Sequence, residues 1–361
     1  MEDTLLAPPG SHTLHAWIQQ YYGKILTKQA DLKTNACCAD EAPPEWIRSL
    51  LGNVHPEVLD RFYGCGFPIP QAISGAAVLD LGCGSGRDAY MISQLVGPGG
   101  QVHGVDMTPE QLDVARAHVD WHRERLGREQ SNVHFHEAFI EDLATLPLGP
   151  GSVDVVVSNC VVNLSPRKDL VLEGVYELLK SGGEFLLSDV VADRRLPAEV
   201  RSDPVLQGEC LGGALYRNDL LDLARRSGFG DPRVVSEHAI TIENEDIRGR
   251  VGPARFTAVT LRLFKLEDLE VRCEDYGQLA TYRGTVAHAP GTLWLDDHHA
   301  FETGRPERVC GNTAAMLAGT RLAHHFDVVG DRAVHFGEYP CGPTLAGGSS
   351  QGLVSGESGC C

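Results

Sequence analysis

From residue 77 onward, short apolar runs alternate with segments whose apolar positions recur every three or four residues. Residues 78–81, 101–105, 133–136, 153–159 and 184–190 read as buried strands, the fourth of them valine-rich, with helical periodicity between them. Leu170, Leu172, Val175, Leu178 and Leu179 mark one such helix, closed by Ser181-Gly182-Gly183. This alternation predicts an α/β fold, a parallel sheet with helices on both faces. Two later β-like runs, 233–242 and 255–263, have no obligatory crossover helix between them and predict an antiparallel hairpin at the end of the sheet.

Outside this core the pattern changes. Leu14, Trp17, Ile18, Tyr21, Tyr22 and Ile25 share one face of a helix expected over 13–32, which precedes the core and lids it. Pro43 and Pro44 punctuate a loop carrying Cys37 and Cys38, and a helix is expected to start near Glu45. A third helix is expected to end in Tyr63-Gly64-Cys65-Gly66, where the glycines would leave Cys65 on a flexible, approachable backbone. Beyond residue 268 come polar, histidine-bearing strands and one alanine-rich helix over 313–325. The stretch 341–361 is rich in glycine and serine and reads as disordered. The expected organisation is a helical lid (1–76), a cofactor-binding core (77–268, with a substrate segment around 200–268), a C-terminal domain (269–345) and a tail (346–361).

Composition narrows the function. The 361 residues carry 49 acidic and 31 basic side chains, a formal charge of −18 that would repel nucleic acid and anionic membrane surfaces. The first residues lack a signal-peptide pattern and no apolar run reaches membrane-spanning length, so a soluble, cytoplasmic protein is expected. Eleven cysteines, an odd number without a paired CxxC ribbon, read as thiols rather than as a disulfide framework or zinc finger. The pairs His298/His299 and His324/His325 point in different directions and fix no metal geometry.

The chemistry concentrates at residues 78–90, VLDLGCGSGRDAY, a strand running into a glycine turn and a helix. Gly82, Gly84 and Gly86 allow a tight turn and close approach of a ligand, and the helix N–H groups face the same point. The spacing is GxGxG, with Arg87 where a dinucleotide fingerprint has its third glycine. Asp106 ends the second strand roughly 20 residues beyond the turn, where a carboxylate accepts hydrogen bonds from ribose hydroxyls. Three cysteines fall on the same edge: Cys160 at the end of the fourth strand, Cys65 on the loop before the sheet, and Cys210 after the fifth strand. Together they suggest a thiophilic substrate, since thiolates select soft centres.

Asp80 with Gly82, Gly84 and Gly86 resembles the class I S-adenosylmethionine-dependent methyltransferases. That likeness implies that Asp80 and the glycine turn hold the methionine end of the cofactor and Asp106 the ribose. More closely, the segments YYGKILTKQADLKTNAC, NVHPEVLDRFYGCG, LDLGCGSGRDAYMISQLVG, VVSNCVVNL and GECLGGALY resemble the arsenite S-adenosylmethionine methyltransferases, from about residue 21 to 266 and more weakly to about 329. The resemblance implies a Rossmann-like, seven-stranded sheet with N-terminal helices and a small C-terminal α+β domain. Its four functional cysteines fall on Cys37, Cys65, Cys160 and Cys210. It implies that trivalent arsenic binds thiolates of Cys160 and Cys210, with Cys65 in the ligand set, and that Cys37 and Cys65 form a transient disulfide supplying electrons. Cys38 stands beside Cys37 and could substitute for it. Tyr63, Arg87, Met107, Ile140 and Glu141 are implied to line the cofactor pocket. The substrate would be arsenite or its thiol conjugate, and turnover would draw on a reductant of the glutathione or thioredoxin type. Two other readings stay open on the residues alone: a carbon or oxygen methyltransferase of a small metabolite with core cysteines, and a non-enzymatic sensor of arsenic or heavy metals.

Overall fold

The computed structural model describes residues 11–26, 31–34 and 43–340; the expectations for Cys37, Cys38 and the 341–361 tail lie outside them. The helices in chain order are α1 (Ser11–Gln20), α2 (Glu45–Leu51), α3 (Pro56–Asp60), α4 (Arg87–Val96), α5 (Pro109–Ala117), α6 (Val119–Arg125) and α7 (Lys168–Leu178). They continue as α8 (Ala198–Ser202), α9 (Pro204–Gly208), α10 (Arg217–Arg226), α11 (Glu245–Val251) and α12 (Gly311–Ala318). The main sheet contains β1 (Ala77–Leu81), β2 (Gln101–Asp106), β3 (Val133–Glu137), β4 (Val153–Asn159), β5 (Leu179–Ala192), β6 (Leu215–Tyr216), β7 (Arg233–Ile240) and β8 (Phe256–Phe264).

Seven of these strands run in the order β3-β2-β1-β4-β5-β8-β7, and the two-residue β6 adds an eighth by pairing with Val191 and Ala192 of β5. Pairing is parallel from β3 through β5 and antiparallel at β5/β8 and β8/β7. The expected terminal hairpin pairing is present, but α11 fills the connection, capped by Asn244, whose side chain accepts from the N–H groups of Asp246 and Ile247. β4 is buried at every position but Asp154, as a central strand covered on both faces requires. The strand order reverses between β1 and β4, so the crevice at their carboxyl ends is where an open α/β sheet receives a ligand.

Three sequence expectations are corrected in detail. The helix expected over 13–32 ends at Gln20 and gives way to a π-helical turn, Tyr21–Ile25, that turns both tyrosines into the core. α3 stops at Asp60, before Tyr63, because the chain must leave the helix to reach Cys65. The helix expected over 313–325 is α12 followed by a separate 3₁₀ turn, Arg321–His325, whose start is fixed by the Thr320 side chain accepting from Leu322 N–H.

Past β8 the chain adds β9 (Leu279–Tyr282), β10 (Thr292–Trp294), β11 (Ala300–Glu302), β12 (Pro306–Arg308) and β13 (Phe326–Val329), arranged as a β12-β9-β13 sheet and a β10/β11 pair. Phe264 of β8 joins Tyr282, Leu295, Phe301, Met316 and Phe326 in one buried cluster, so this unit packs on the main sheet through its own core. Among the described residues no helix is long and apolar enough to cross a membrane.

Candidate active site

The crevice at the carboxyl ends of β1 and β4 opens into a cleft lined by residues from both strands. Asp80, Gly82 and Gly84 form one wall, Asp106 and Met107 a second, and Ile140, Glu141, Tyr63 and Cys160 the rest. Gly82 has φ 62°, and a Cβ there would meet Val161 Cγ2 at 2.3 Å, so the turn needs glycine on both conformational and steric grounds. α1 and its π turn lie across this cleft: Gln19 Nε2 donates to Met107 O (2.6 Å), His15 meets Glu141 (3.1 Å), and Gln111 Nε2 donates to Tyr22 O (2.8 Å).

Buried polar atoms point into the cleft without partners. Asp80 Oδ2, Tyr63 Oη and Gln111 Oε1 are buried and make no hydrogen bond among the described residues. Burial and the nearby Asp88 push the Asp80 carboxyl well above its ordinary value; burial also raises Asp106, against the N–H groups of Thr108 and Gly84 that accompany its charge. Asp106 accepts these at 2.8 and 2.9 Å with one oxygen each, which leaves a lone pair on each for a hydroxyl donor. Asp80, Asp88, Asp106 and Glu141 give the lining an acidic excess over Arg61. An acidic cleft with an orphaned carboxylate oxygen and a glycine cradle fits a cationic, nucleoside-bearing molecule such as S-adenosylmethionine.

Two of the residues implied to sit in the cofactor pocket do something else. Gly86 and Arg87 do not line the cleft. The Arg87 guanidinium is buried, pairs with Asp88 (2.7 Å), donates to Gly66 O (3.1 Å) and stacks on Phe62 with 3.1 Å to the ring centroid. Asp88 in turn accepts from Asn159 Nδ2 (2.8 Å), and Asn159 bonds both the carbonyl (2.9 Å) and the N–H (3.3 Å) of Gly66. Sequence reasoning missed Asp88 and Asn159, although they adjoin Arg87 and Cys160, because spacing alone does not reveal a hydrogen-bond network.

That network holds Cys65. The loop does not leave its thiol open to approach: Cys65 is fully buried, and a Cβ on Gly66 would lie 2.5 Å from Ser188 Oγ, so the glycine serves close packing. Cys65 and Cys160 are joined as a disulfide with Cα atoms 5.9 Å apart, whereas the resemblance had implied Cys37 as the partner of Cys65. Cys210 is a buried free thiol that donates to Cys160 O at 3.2 Å, with Tyr22 Oη 3.8 Å from its sulfur. Cys160 faces the cleft while Cys65 and Cys210 lie behind it in one apolar cluster. Cys160 and Cys210 have φ of 59° and 60°, two of the three non-glycine residues in the left-handed region among the described ones. Such backbones cost free energy and cluster at functional sites.

Of the histidine pairs, His299 Nδ1 bonds the Asp296 carboxylate at 2.8 Å and His325 Nδ1 meets Thr285 Oγ1 at 2.7 Å. Away from the cleft, His55, Glu57 and His118 bring ligand-type atoms within 4.8 Å, but Glu57 and His118 already satisfy each other at 2.8 Å.

Comparison with known proteins agrees with this geometry. Residues 73–228 match the family model of a methyltransferase domain. An arsenite methyltransferase of Aquipseudomonas alcaligenes is 54% identical over 349 residues, covering 96% of this chain and 100% of that protein. The arsenite methyltransferase of Homo sapiens is 44% identical over 312 residues, covering 86% and 82% of the two chains. The crystal structure of an arsenic(III) S-adenosylmethionine methyltransferase from Chlamydomonas reinhardtii superposes with a TM-score of 0.80 at 51% identity, covering 82% of this chain and 100% of that one.

Proposed function

The chain belongs to the arsenite methyltransferase family, and we propose that it moves the methyl group of S-adenosylmethionine to trivalent arsenic, in arsenite and then in methylarsenite, while cysteine thiolates hold the metalloid. The observation that carries this reading is the meeting of Cys65, Cys160 and Cys210 in one buried cluster, with Cys160 on the wall of a cleft suited to the cofactor.

S-adenosylmethionine supplies an electrophilic methyl group on a sulfonium. Asp80 and the turn at Gly82 and Gly84 would hold its amino-acid end, Asp106 its ribose, and Met107 and Ile140 its apolar faces. Arsenic bound by three sulfurs is pyramidal and keeps a lone pair, so thiolates that anchor it also aim a nucleophile, and no general base is required. The chain's work is alignment, an effect that lowers barriers by about 7–11 kcal/mol when the geometry is right. Because sulfonium charge disappears in the step, the dry, tyrosine- and leucine-lined surroundings favour it.

Attack by the lone pair leaves arsenic formally pentavalent, and return to the trivalent state takes two electrons. Two protein thiols supply them by closing as a disulfide, which an external thiol of the glutathione or thioredoxin type then reduces. The Cys65–Cys160 disulfide is a closed pair of this kind: reduction with two electrons and two protons frees both sulfurs for arsenic. Cys37, with Cys38 beside it, is the further thiol assigned to this exchange.

Mass spectrometry after mixing protein, arsenite, glutathione and S-adenosylmethionine tests the reading. Methylated arsenicals should form in step with S-adenosylhomocysteine; tight arsenite binding without S-adenosylhomocysteine would instead identify a sensor.

A further inference from the structure

Cys160 and Cys210 belong to different segments, one just past β4 and one in the turn after α9, yet Cys210 Sγ lies 3.2 Å from Cys160 O. Both backbones are left-handed, a state that a non-glycine residue leaves unless its surroundings hold it. A single side chain ties the two segments together. Asn163, in the 3₁₀ turn Val162–Leu164 that follows Cys160, is buried, and its Nδ2 donates to Val190 O on β5 (2.7 Å) and to Cys210 O (3.4 Å). Its N–H donates to Asp189 Oδ2 (2.9 Å), and its carbonyl accepts from Lys168 Nζ (3.1 Å). That carbonyl also packs against the chain just beyond Cys210: a Cβ on Gly213 would lie 1.9 Å from it, so the approach needs glycine. Asn163 itself does not line the cleft.

We propose that Asn163 is a positioning residue of the thiol site: its amide ties the Cys210 turn to β5 and to the turn that follows Cys160, and so holds the two sulfurs close enough for one arsenic atom to span them. This inference rests on the proposed function, in which both thiolates bind the metalloid. Methylarsenite, CH3As(OH)2, shows the step in its simplest form: two arsenic–oxygen bonds give way to two arsenic–sulfur bonds, and the two thiol protons leave with the oxygens as two waters. Once the first sulfur has bound, the second closes the chelate at an effective concentration set by how tightly it is held beside the first. Without the amide, the carbonyls of Cys210 and Val190 lose a donor and Cys210 is free to relax out of the left-handed region. The chelate then closes less often, while the cofactor side of the cleft is untouched.

Asn163→Ala tests it in protein reduced with a phosphine, so that no added thiol competes for arsenic. Calorimetric titration should show methylarsenite affinity lower by about tenfold or more, as for loss of buried hydrogen bonds. Affinity for S-adenosylmethionine should stay within about twofold, as for sites that share no partner. A merely structural role would lower the unfolding midpoint and leave the arsenical affinity of the folded protein unchanged, which would overturn the proposal. In the Cys210→Ser background the same substitution should cost no further affinity, because the sulfur it positions is absent; an additive loss refutes the positioning role. Lys168→Met takes a donor from the Asn163 carbonyl, leaves the amide in place, and should weaken methylarsenite binding by about two- to threefold, whatever the folding of the first variant. Wild-type arsenical affinity in every folded variant refutes the proposal. A wild-type protein that binds methylarsenite but forms no methylated product with S-adenosylmethionine refutes the proposed function instead, and the affinity differences still report on Asn163.

Discussion

Asp80 at the cleft and Asp231 beneath the C-terminal unit are both buried carboxylates, yet the chain completes the surroundings of one and leaves the other open. Asp231 Oδ2 accepts from Arg233 Nε (3.0 Å) and Nη2 (2.7 Å) and from Asn312 Nδ2 (3.0 Å). The same guanidinium reaches Asp296 at 3.1 Å, and Asp296 also accepts from His299. Burial works to raise the Asp296 carboxyl, but His299 and Arg233 outweigh it and hold it far below the ordinary range. At Asp80 the nearest cation, Arg87, is committed to Asp88 and Gly66, one oxygen has no partner, and the carboxyl is pushed up. A buried charge that is compensated within the chain fixes structure; one left uncompensated at a cleft waits for a ligand. The backbone divides the same way. Past β8 the positive-φ residues are glycines, whereas at the thiol site they are Cys160 and Cys210, which keep their side chains in spite of the strain.

The largest expected break is at those cysteines. Cys160→Ser or Cys210→Ser puts a hard hydroxyl where arsenic needs a soft thiolate, and methylation of both arsenite and methylarsenite should stop. Cofactor affinity should change little in either variant; thermal stability should change little for Cys210→Ser, where a hydroxyl is close to isosteric, and should fall for Cys160→Ser only under oxidising conditions, where the wild type keeps its Cys65–Cys160 disulfide. Turnover of methylarsenite by Cys160→Ser at the wild-type rate would remove it from the ligand set. The Cys37→Ser, Cys38→Ser double variant should lose arsenite turnover and retain part of the activity on methylarsenite; full arsenite turnover would deny both cysteines a redox role.

Next comes the compensated cluster. Arg233→Ala strands two buried carboxylates, a change that costs about 3–5 kcal/mol. Denaturant unfolding should show that loss, while the folded fraction binds cofactor as before. An unaltered unfolding midpoint would mean that the cluster is not the structural counterpart described.

How much of this contrast could be read in the sequence follows from which interactions are local. The strands at 78–81 and 153–159, the glycine turn and Asp106 are set by short-range pattern and backbone need, and each stands where the pattern placed it. Strand ends converge at one edge of the sheet, and there Cys160 lines the cleft while Cys210 packs behind it. Long-range side-chain partners were not legible. Nothing in the spacing shows that Arg87 turns away from the cleft to hold the Cys65 loop, that Cys65 closes on Cys160, or that Glu209 binds residues more than 170 positions earlier. The break of the first helix at Gln20 was hidden for a similar reason: Tyr21 and Tyr22 keep helical periodicity, but their hydroxyls seek partners around residue 208, and the π turn aims them there.

Asp80→Asn sharpens the comparison from the other side. It removes a charge whose burial is unfavourable in the empty cleft, so the ligand-free protein should melt at the same or a higher temperature. Cofactor affinity should fall by about 1–3 kcal/mol, as for loss of a charged acceptor, and Asp106→Ala should weaken it similarly. Calorimetric titration checks both, and unchanged cofactor affinity in Asp80→Asn would dissociate the orphaned oxygen from ligand binding.

The smallest effect concerns Asp189, which lies between the two regimes. It is buried at the end of β5, accepts from the N–H groups of Asn163 (2.9 Å) and Val190 (2.8 Å), and has Lys168 nearby. Burial raises its carboxyl to about 6 against those hydrogen bonds and the Lys168 charge, and burial likewise lowers Lys168 to about 8. Because the folded value lies above the unfolded one, the native state holds a proton that the unfolded chain has released between the two. Stability from this group therefore rises as pH falls through about 6 and levels off near the unfolded value of about 4. Between pH 6 and pH 5 the gain amounts to about 1 kcal/mol. A paired acid such as Glu184 behaves oppositely: burial is outweighed by Arg262 and Arg321, its carboxyl is held below the ordinary range, and its contribution is lost only in stronger acid. Denaturant unfolding of wild type and Asp189→Asn at pH 5 and pH 6 isolates the group, since every other titration cancels in the difference. The variant should lack the gain of about 1 kcal/mol, and identical pH slopes would mean that Asn163, Val190 and Lys168 compensate Asp189 as fully as Arg233 compensates Asp231.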